Sequence, residues 1–407
     1  HEGREAIIAI PSAAGEAMRR IVSLCEEARL RFRTLPSLTE LVEGKVGINR
    51  LREVNIEDLM GRQPLHPDPS AYASHLAGAR VLVTGAAGSV GSELCRHIGG
   101  CRPSLLVPLD WSENDLFELD LEMRRRFPEL RLEPVIGSVR DEAKMHWLME
   151  HYRPNLVLHA AAHKHVPLME GNPDEAVLNN IWGSKVTMEA AHSAGVDRFV
   201  FISTDKAVNP TSIMGSTKRV VEMLLQCQAR DSQTKFVAVR FGNVLGSNGS
   251  VIPIFKKQIA QGGPVTVTHP ETTRYFMTIF EATHLILQAA FLGEGGQIFI
   301  LDLGKPVRIL DLARDMIRLS GLEEGKDIKI EFVGLRPGEK IFEEFTLSGD
   351  HIQRTSFEKI YAIEPAPPEP SLLKAQVAEI ISLCASRDKE AIRRKLREIV
   401  PEYSPYP

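Results

Sequence analysis

The chain has 407 residues, 43% of them hydrophobic and 25% charged, with a formal net charge of −4, an ordinary globular balance with enough length for two domains. No block of five or six like charges occurs, which argues against nucleic acid or an anionic membrane surface as a partner, and Arg124-Arg125-Arg126 reads as the solvated face of a helix. The scattered cysteines Cys25, Cys95, Cys101, Cys227 and Cys384 have no Cys-x-x-Cys or Cys/His spacing, so no metal site is expected, and reduced thiols in a cytoplasmic compartment are.

Residues 6–10 predict a buried strand, Ala17–Ala28 an apolar-spaced helix and Phe32–Pro36 a further strand. This unit has no phosphate-binding glycine loop. It reads as the C-terminal part of an upstream α/β domain, occupying 1–67 with its linker, the stretch Gly61–Pro69 being rich in Pro, Gly and polar residues. No apolar run approaches the roughly 18 residues that cross a bilayer, and no signal peptide is present. Because the chain begins at His1 in front of an apolar strand, the expectation is a soluble piece cut from a longer protein, any membrane segments lying upstream.

A second α/β region begins near Arg80. Strand-like segments recur at Val81–Thr84, Leu105–Leu109, Leu132–Ile136, Leu156–His159, Phe199–Ser203 and Phe236–Arg240, with helical patterns between most of them. That alternation predicts a doubly wound parallel sheet covered on both faces, a Rossmann arrangement over 76–245. From 246 to 407 the alternation weakens, and a smaller, mainly substrate-binding lobe with C-terminal helices is expected.

Between the first of these strands and a helix stands Gly85-Ala86-Ala87-Gly88-Ser89-Val90-Gly91. Glycines at this spacing allow a tight turn, a close approach of backbone N–H groups to a pyrophosphate and a helix start facing its charge. Gly85, Ala87, Gly88, Ser89, Val90 and Gly91 are therefore candidate cofactor contacts. Asp110 ends the next strand, 25 residues after Gly85, where a carboxylate binds an adenosine ribose and repels a 2′-phosphate, which favours NAD over NADP. Ser112, then Ser138 and Val139 after the third strand, and Ala160-Ala161-Ala162 after the fourth complete the expected cofactor wall.

At this point the sequence resembles the extended short-chain dehydrogenases. Within them it is similar to the membrane-type polysaccharide-biosynthesis dehydratases of the PglF, WbpM and CapD kind, which act on UDP-N-acetylglucosamine. The residues that carry the resemblance are the segments Ala161–Glu170, Ser203–Pro210, Arg240–Ser247 and Leu335–Lys340, spread over about residues 80–345. The superfamily's usual Tyr-x-x-x-Lys pair appears as Met214-Gly215-Ser216-Thr217-Lys218; the membrane-type dehydratases share that methionine.

The resemblance implies a UDP-N-acetylglucosamine 4,6-dehydratase with catalytic NAD, forming a 4-keto-6-deoxy sugar for surface glycan synthesis. It implies Asp205 as the acid for the departing C6 hydroxyl, Lys206 as the base at C5 and Thr204 on the C4 hydroxyl. Met214 occupies the place of the phenol, and Lys218 meets the nicotinamide ribose. His163, Lys164, His165, Asn180, Asn243, Arg274, Arg336 and Glu339 are the expected substrate contacts, the arginines suiting phosphates. A homo-oligomer at the cytoplasmic face of a bacterial inner membrane is the implied setting of the full-length protein. Three alternatives stay open: a UDP-sugar epimerase, another NDP-sugar dehydratase, and a nucleotide sensor with a dead active site. The group that deprotonates the C4 hydroxyl is left unassigned.

Overall fold

The structure is a computed structural model and describes residues 5–10, 15–28, 30–35, 53–59, 69–366 and 368–405. Of the expected linker only Pro69 falls among them. The chain forms two compact units, one made of Pro69–Gly242, Ala282–Asp302 and Leu335–Pro407, the other of His1–Asp68, Asn243–Glu281 and Leu303–Gly334.

The first unit is built on a nine-stranded sheet. Its strands are β1 (Arg80–Thr84), β2 (Leu105–Asp110), β3 (Val135–Ile136), β4 (Leu156–His159), β5 (Arg198–Ile202), β6 (Lys235–Arg240), β7 (Ile298–Leu301), β8 (Gln353–Arg354) and β9 (Ile360–Ile363). Their spatial order is β8-β9-β7-β6-β5-β4-β1-β2-β3. From β7 to β3 all neighbours run parallel, and β9 joins antiparallel to β7. Strands such as Leu-Leu-Val-Pro-Leu-Asp in β2 are buried at every position, as a sheet covered on both faces requires. The expected strand over 132–136 shrinks to two residues plus an isolated bridge from Leu132 to Leu106. Pro134 interrupts it, since proline has no N–H for the ladder. Strand order reverses between β1 and β4, so the crevice beyond their carboxyl ends is where this architecture places a ligand.

In the second unit, the short parallel pair Glu5–Ile8 and Arg31–Thr34 does not stand as a domain of its own. Ile8, Met18, Val22, Val54, Ile56 and Leu59 share one apolar core with Phe255, Val265, Leu312 and Met316, and Arg19 Nε lies 2.9 Å from Asp315 Oδ2. The division into 1–67, 76–245 and 246–407 is corrected accordingly. Apolar burial draws the described N-terminal residues to the 243–281 and 303–334 segments. The fully buried Ile298–Leu301 instead completes the main sheet beside Lys235–Arg240. Among the described residues no helix is long and apolar enough to cross a membrane.

Candidate active site

The glycine loop leaves β1 and enters helix α1 (Ser89–Gly100). Gly85 has φ +65°, and a Cβ there would sit 2.6 Å from Ala161 N and 2.7 Å from Ala161 Cα. The Ala160–Ala162 strand exit therefore runs hard against the loop. A Cβ on Gly91 would lie 2.1 Å from Gly85 O, whereas one on Gly88 would meet only Gly85 O at 3.2 Å. Gly85 and Gly91 are thus demanded by the protein's own backbone, and Gly88 is the position whose bareness serves the open side. The N-terminus of a helix such as α1 carries partial positive charge and favours an anion. Gly91→Ala is expected to cost about 1–3 kcal/mol through overpacking; the check is a thermal melt in which the rise in Tm on adding NAD is also lost.

Asp110, buried at the end of β2, accepts from Ala87 N at 2.9 Å through Oδ2 and from Ser112 N at 3.0 Å through Oδ1. Its carboxylate joins the loop to the β2 exit, and each oxygen keeps a lone pair for a ribose hydroxyl. Ser112 Oγ donates to Asp115 Oδ2 at 2.7 Å. Ser138 accepts from Arg140 N at 3.2 Å, and Val139 is buried against the position of Gly183. A carboxylate with free lone pairs beside a bare glycine loop at a helix start fits a dinucleotide.

Beyond β5, Thr204 starts a one-turn 3-10 helix, Asp205–Ala207. Thr204 Oγ1 donates to Asp205 Oδ1 at 2.7 Å, and Lys206 Nζ lies 3.1 Å from both Asp205 oxygens and 3.2 Å from Glu343 Oε1. The Asp205 and Glu343 side chains are 1% and 2% exposed, that of Lys206 28%. Burial pushes the Asp205 carboxyl up, but the Lys206 charge and hydrogen bonds with Glu343, Thr204 and Lys206 together hold it below the ordinary carboxylate range. Three acid–base groups thus meet at one turn, and Lys206 faces outward.

Helix α2 (Ile213–Arg230) carries Met214 and Lys218 one turn apart, both buried. Ser212 caps it by accepting from Gly215 N at 3.1 Å. Lys218 Nζ donates to Ile202 O at 2.8 Å and lies 4.4 Å from the centre of the Phe201 ring. Burial pushes its ammonium down to about 7, against an upward pull from Glu222. A Cβ on Gly215 would stand 2.1 Å from Lys206 O, so only glycine lets α2 dock on the Thr204–Lys206 turn.

The exit of β4 is held by two residues whose polar atoms are spent inside the protein. His159 is fully buried, with Nδ1 at 2.8 Å from Thr84 Oγ1 and Nε2 at 2.8 Å from Ser184 Oγ. Burial, aided by the Lys218 charge, pushes its imidazole down to about 3 and keeps it neutral. Asn180 is 1% exposed; its Oδ1 accepts from His163 N at 2.8 Å and its Nδ2 donates to His163 O and Thr217 Oγ1, each at 3.0 Å. That side chain fixes the 163 backbone rather than reaching a sugar, which corrects its expected place among the substrate contacts. Lys164 lies close enough to Lys206 for the two charges to interact: burial first, then Lys206, pushes its ammonium down. His163 and His165 are likewise lowered by burial.

Arg336 and Glu339 form a closed turn: Glu339 N donates to Arg336 O at 3.0 Å, and Arg336 N to Glu339 Oε2 at 3.2 Å. Gly338 O accepts from Thr211 Oγ1 at 3.0 Å, and Lys340 Nζ donates to Val208 O at 2.8 Å. This anchored turn leads directly to Glu343. Asn243 and Arg274 belong to the second unit, Asn243 paired with Phe276 and Arg274 with Val307. Two residues escaped the sequence reading. His159 reads there only as a strand end, and Glu343 lies 137 positions from Lys206 in sequence, with only its place just after Arg-Pro-Gly-Glu-Lys as a signal.

A family profile described as "Polysaccharide biosynthesis protein" matches residues 81–365. The chain is 48% identical over 360 residues to the capsular polysaccharide biosynthesis protein CapD of Staphylococcus aureus, covering 88% of this chain and 60% of that protein. It therefore spans about three-fifths of that relative's length. It is 33% identical over 294 residues to a UDP-N-acetylglucosamine 4,6-dehydratase (inverting) of Campylobacter jejuni, covering 71% of this chain and 84% of the relative. Among solved structures, Pen from Bacillus thuringiensis superposes with a TM-score of 0.67 at 34% identity, over 72% of this chain and 89% of that one. The dTDP-glucose 4,6-dehydratase DesIV from Streptomyces venezuelae, solved with NAD bound, shares the fold with a TM-score of 0.55 at 20% identity, over 62% and 84% of the two chains.

Proposed function

The chain belongs to the polysaccharide biosynthesis protein family, and from that premise we propose that it is the catalytic part of an NAD-dependent UDP-N-acetylglucosamine 4,6-dehydratase. The observation that carries the reading is the Thr204–Asp205–Lys206 turn, docked through Gly215 on a helix that has Met214 where a dehydrogenase has its phenol. A plain dehydrogenase or epimerase needs one group for the C4 hydroxyl; elimination of water needs an additional acid and base, and this turn holds both. NAD, held by the loop and Asp110, would supply the hydride acceptor for C4 and the hydride donor for C6, with no net change of the cofactor.

On this reading the loop from Gly85 to Gly91 and Asp110 hold the dinucleotide, and Lys218 lies under its ribose. Thr204 orients the C4 hydroxyl, Lys206 removes the C5 proton and Asp205 protonates the departing C6 oxygen. His163, Lys164 and His165 supply the sugar wall, and the turn at Arg336 and Glu339 supplies nucleotide contacts. The test is incubation with UDP-N-acetylglucosamine, with and without added NAD, followed by mass spectrometry and NMR. Loss of one water with a 4-keto-6-deoxy pattern is expected. A product of unchanged mass with inverted C4 would make it an epimerase, and unchanged substrate under both conditions would leave the sensor.

A further inference from the structure

We infer that Glu343 is a positioning residue of the acid–base group, held as a neutral carboxylic acid that donates to Asp205 and keeps Lys206 free to shed its proton. This inference rests on the dehydratase reading and deepens it. The Glu343 side chain is 2% exposed and hydrogen-bonds Asp205, while its Oε1 lies 3.2 Å from Lys206 Nζ. Two buried carboxyls in a hydrogen bond hold a proton between them, because both cannot be ionised at that distance. Asp205 receives Thr204 Oγ1 and, through both oxygens, Lys206 Nζ, so it is the better stabilised anion, and the proton belongs to Glu343.

The arrangement answers a requirement of the chemistry. A base at C5 must be an amine, not an ammonium, and an ionised Glu343 beside it would hold the proton in place. A neutral Glu343 removes that obstacle, and Lys164, whose charge interacts with that of Lys206, pushes the same way from the β4 side. The proton account closes. As C4 is oxidised, its hydroxyl proton passes through Thr204 Oγ1 to Asp205. Lys206, its ammonium proton having passed to solvent from its partly exposed side chain, takes the C5 proton as an amine, the C5–H electrons become the C5–C6 double bond, and the C6–O bond breaks with its electron pair. The oxygen leaves as water with the Asp205 proton. Lys206 then returns its proton to C5 as hydrogen returns to C6 from the cofactor. Glu343 keeps its proton throughout. The neighbours that set its position are anchored elsewhere: Phe345 O accepts from buried Arg240 Nη1 at 3.1 Å, and Lys340 is fixed on Val208 O.

The experiment compares Glu343→Gln and Glu343→Ala in the dehydration assay across pH. A carboxamide reproduces the neutral acid, with a donor for Asp205 and an acceptor for Lys206. E343Q is expected to lower kcat by no more than about fivefold and to lose the high-pH fall that ionisation of Glu343 gives the wild type. E343A is expected to lower kcat by about 10²-fold with little change in KM. If E343Q is as slow as E343A, Glu343 must release its proton and the inference is overturned; an unaltered high-pH limb in E343Q overturns it as well. A wild-type enzyme that makes no 4-keto product fails earlier and differently, since it removes the dehydratase reading itself.

Discussion

Lys206→Ala is expected to reduce formation of the 4-keto-6-deoxy sugar by about 10²–10⁴-fold, the range of a lost general base, while NAD still raises Tm as in the wild type. Asp110 holds the N–H groups of Ala87 and Ser112, whereas Lys206 Nζ contacts Asp205 and Glu343, so binding and chemistry should separate. In heavy water the wild type should introduce deuterium at C5 of the product, and the variant should not. Lys206→Arg is the sharper control. It keeps a cation beside Asp205 and Glu343 but replaces an amine that can become neutral with a guanidinium that cannot. An arginine variant with more than about a tenth of wild-type activity would show that charge, not proton transfer, is what position 206 supplies; a loss matching the alanine variant supports the base.

The second large effect is on stability. Arg240 and Glu222 are both fully buried and joined by two parallel bonds of 2.7 Å, with Ser203 Oγ donating to Glu222 at 2.7 Å and Arg240 Nη1 to Phe345 O. Burial opposes the charge on each; the partner's opposite charge restores it, holding Glu222 low and Arg240 high. Arg240→Met removes both 2.7 Å bonds and leaves buried Glu222 to the more distant Arg219, at 3.5 Å, and is expected to cost about 3–5 kcal/mol in urea unfolding. The double variant Arg240→Met with Glu222→Met should regain much of that loss, because replacing both charges removes the desolvation that the pair has to overcome. Equal destabilisation by the single and double variants would contradict this account.

Much of this was legible in the sequence because it is local. Five of the six expected strands lie within one residue of those observed, since buried parallel strands are apolar along their whole length. The glycine loop is a short-range motif whose reasons, Gly85 against Ala161 and Gly91 against Gly85 O, are nonetheless tertiary. Thr204, Asp205 and Lys206 are consecutive within a segment that carries the family resemblance, and that is what raised them. Glu343 was not legible: it sits in a loop without periodicity and acquires meaning only when the turn at Gly338 packs on Ser212. Asn180 illustrates the opposite failure. A polar residue in the middle of a site-forming segment invites a ligand role, and only its hydrogen bonds reveal that the backbone of His163 consumes it. The interleaving of the two units was hidden because a strand such as Ile298–Leu301 declares its burial but not its neighbour.

The close seat of Gly215 on the Lys206 carbonyl makes the Thr204–Lys206 turn and the helix bearing Met214 and Lys218 behave as a single jig. A substitution that reshapes the crevice has little room to act by sliding one against the other. It must act on the crevice walls, while the spacing between the turn and Lys218 stays set by that contact.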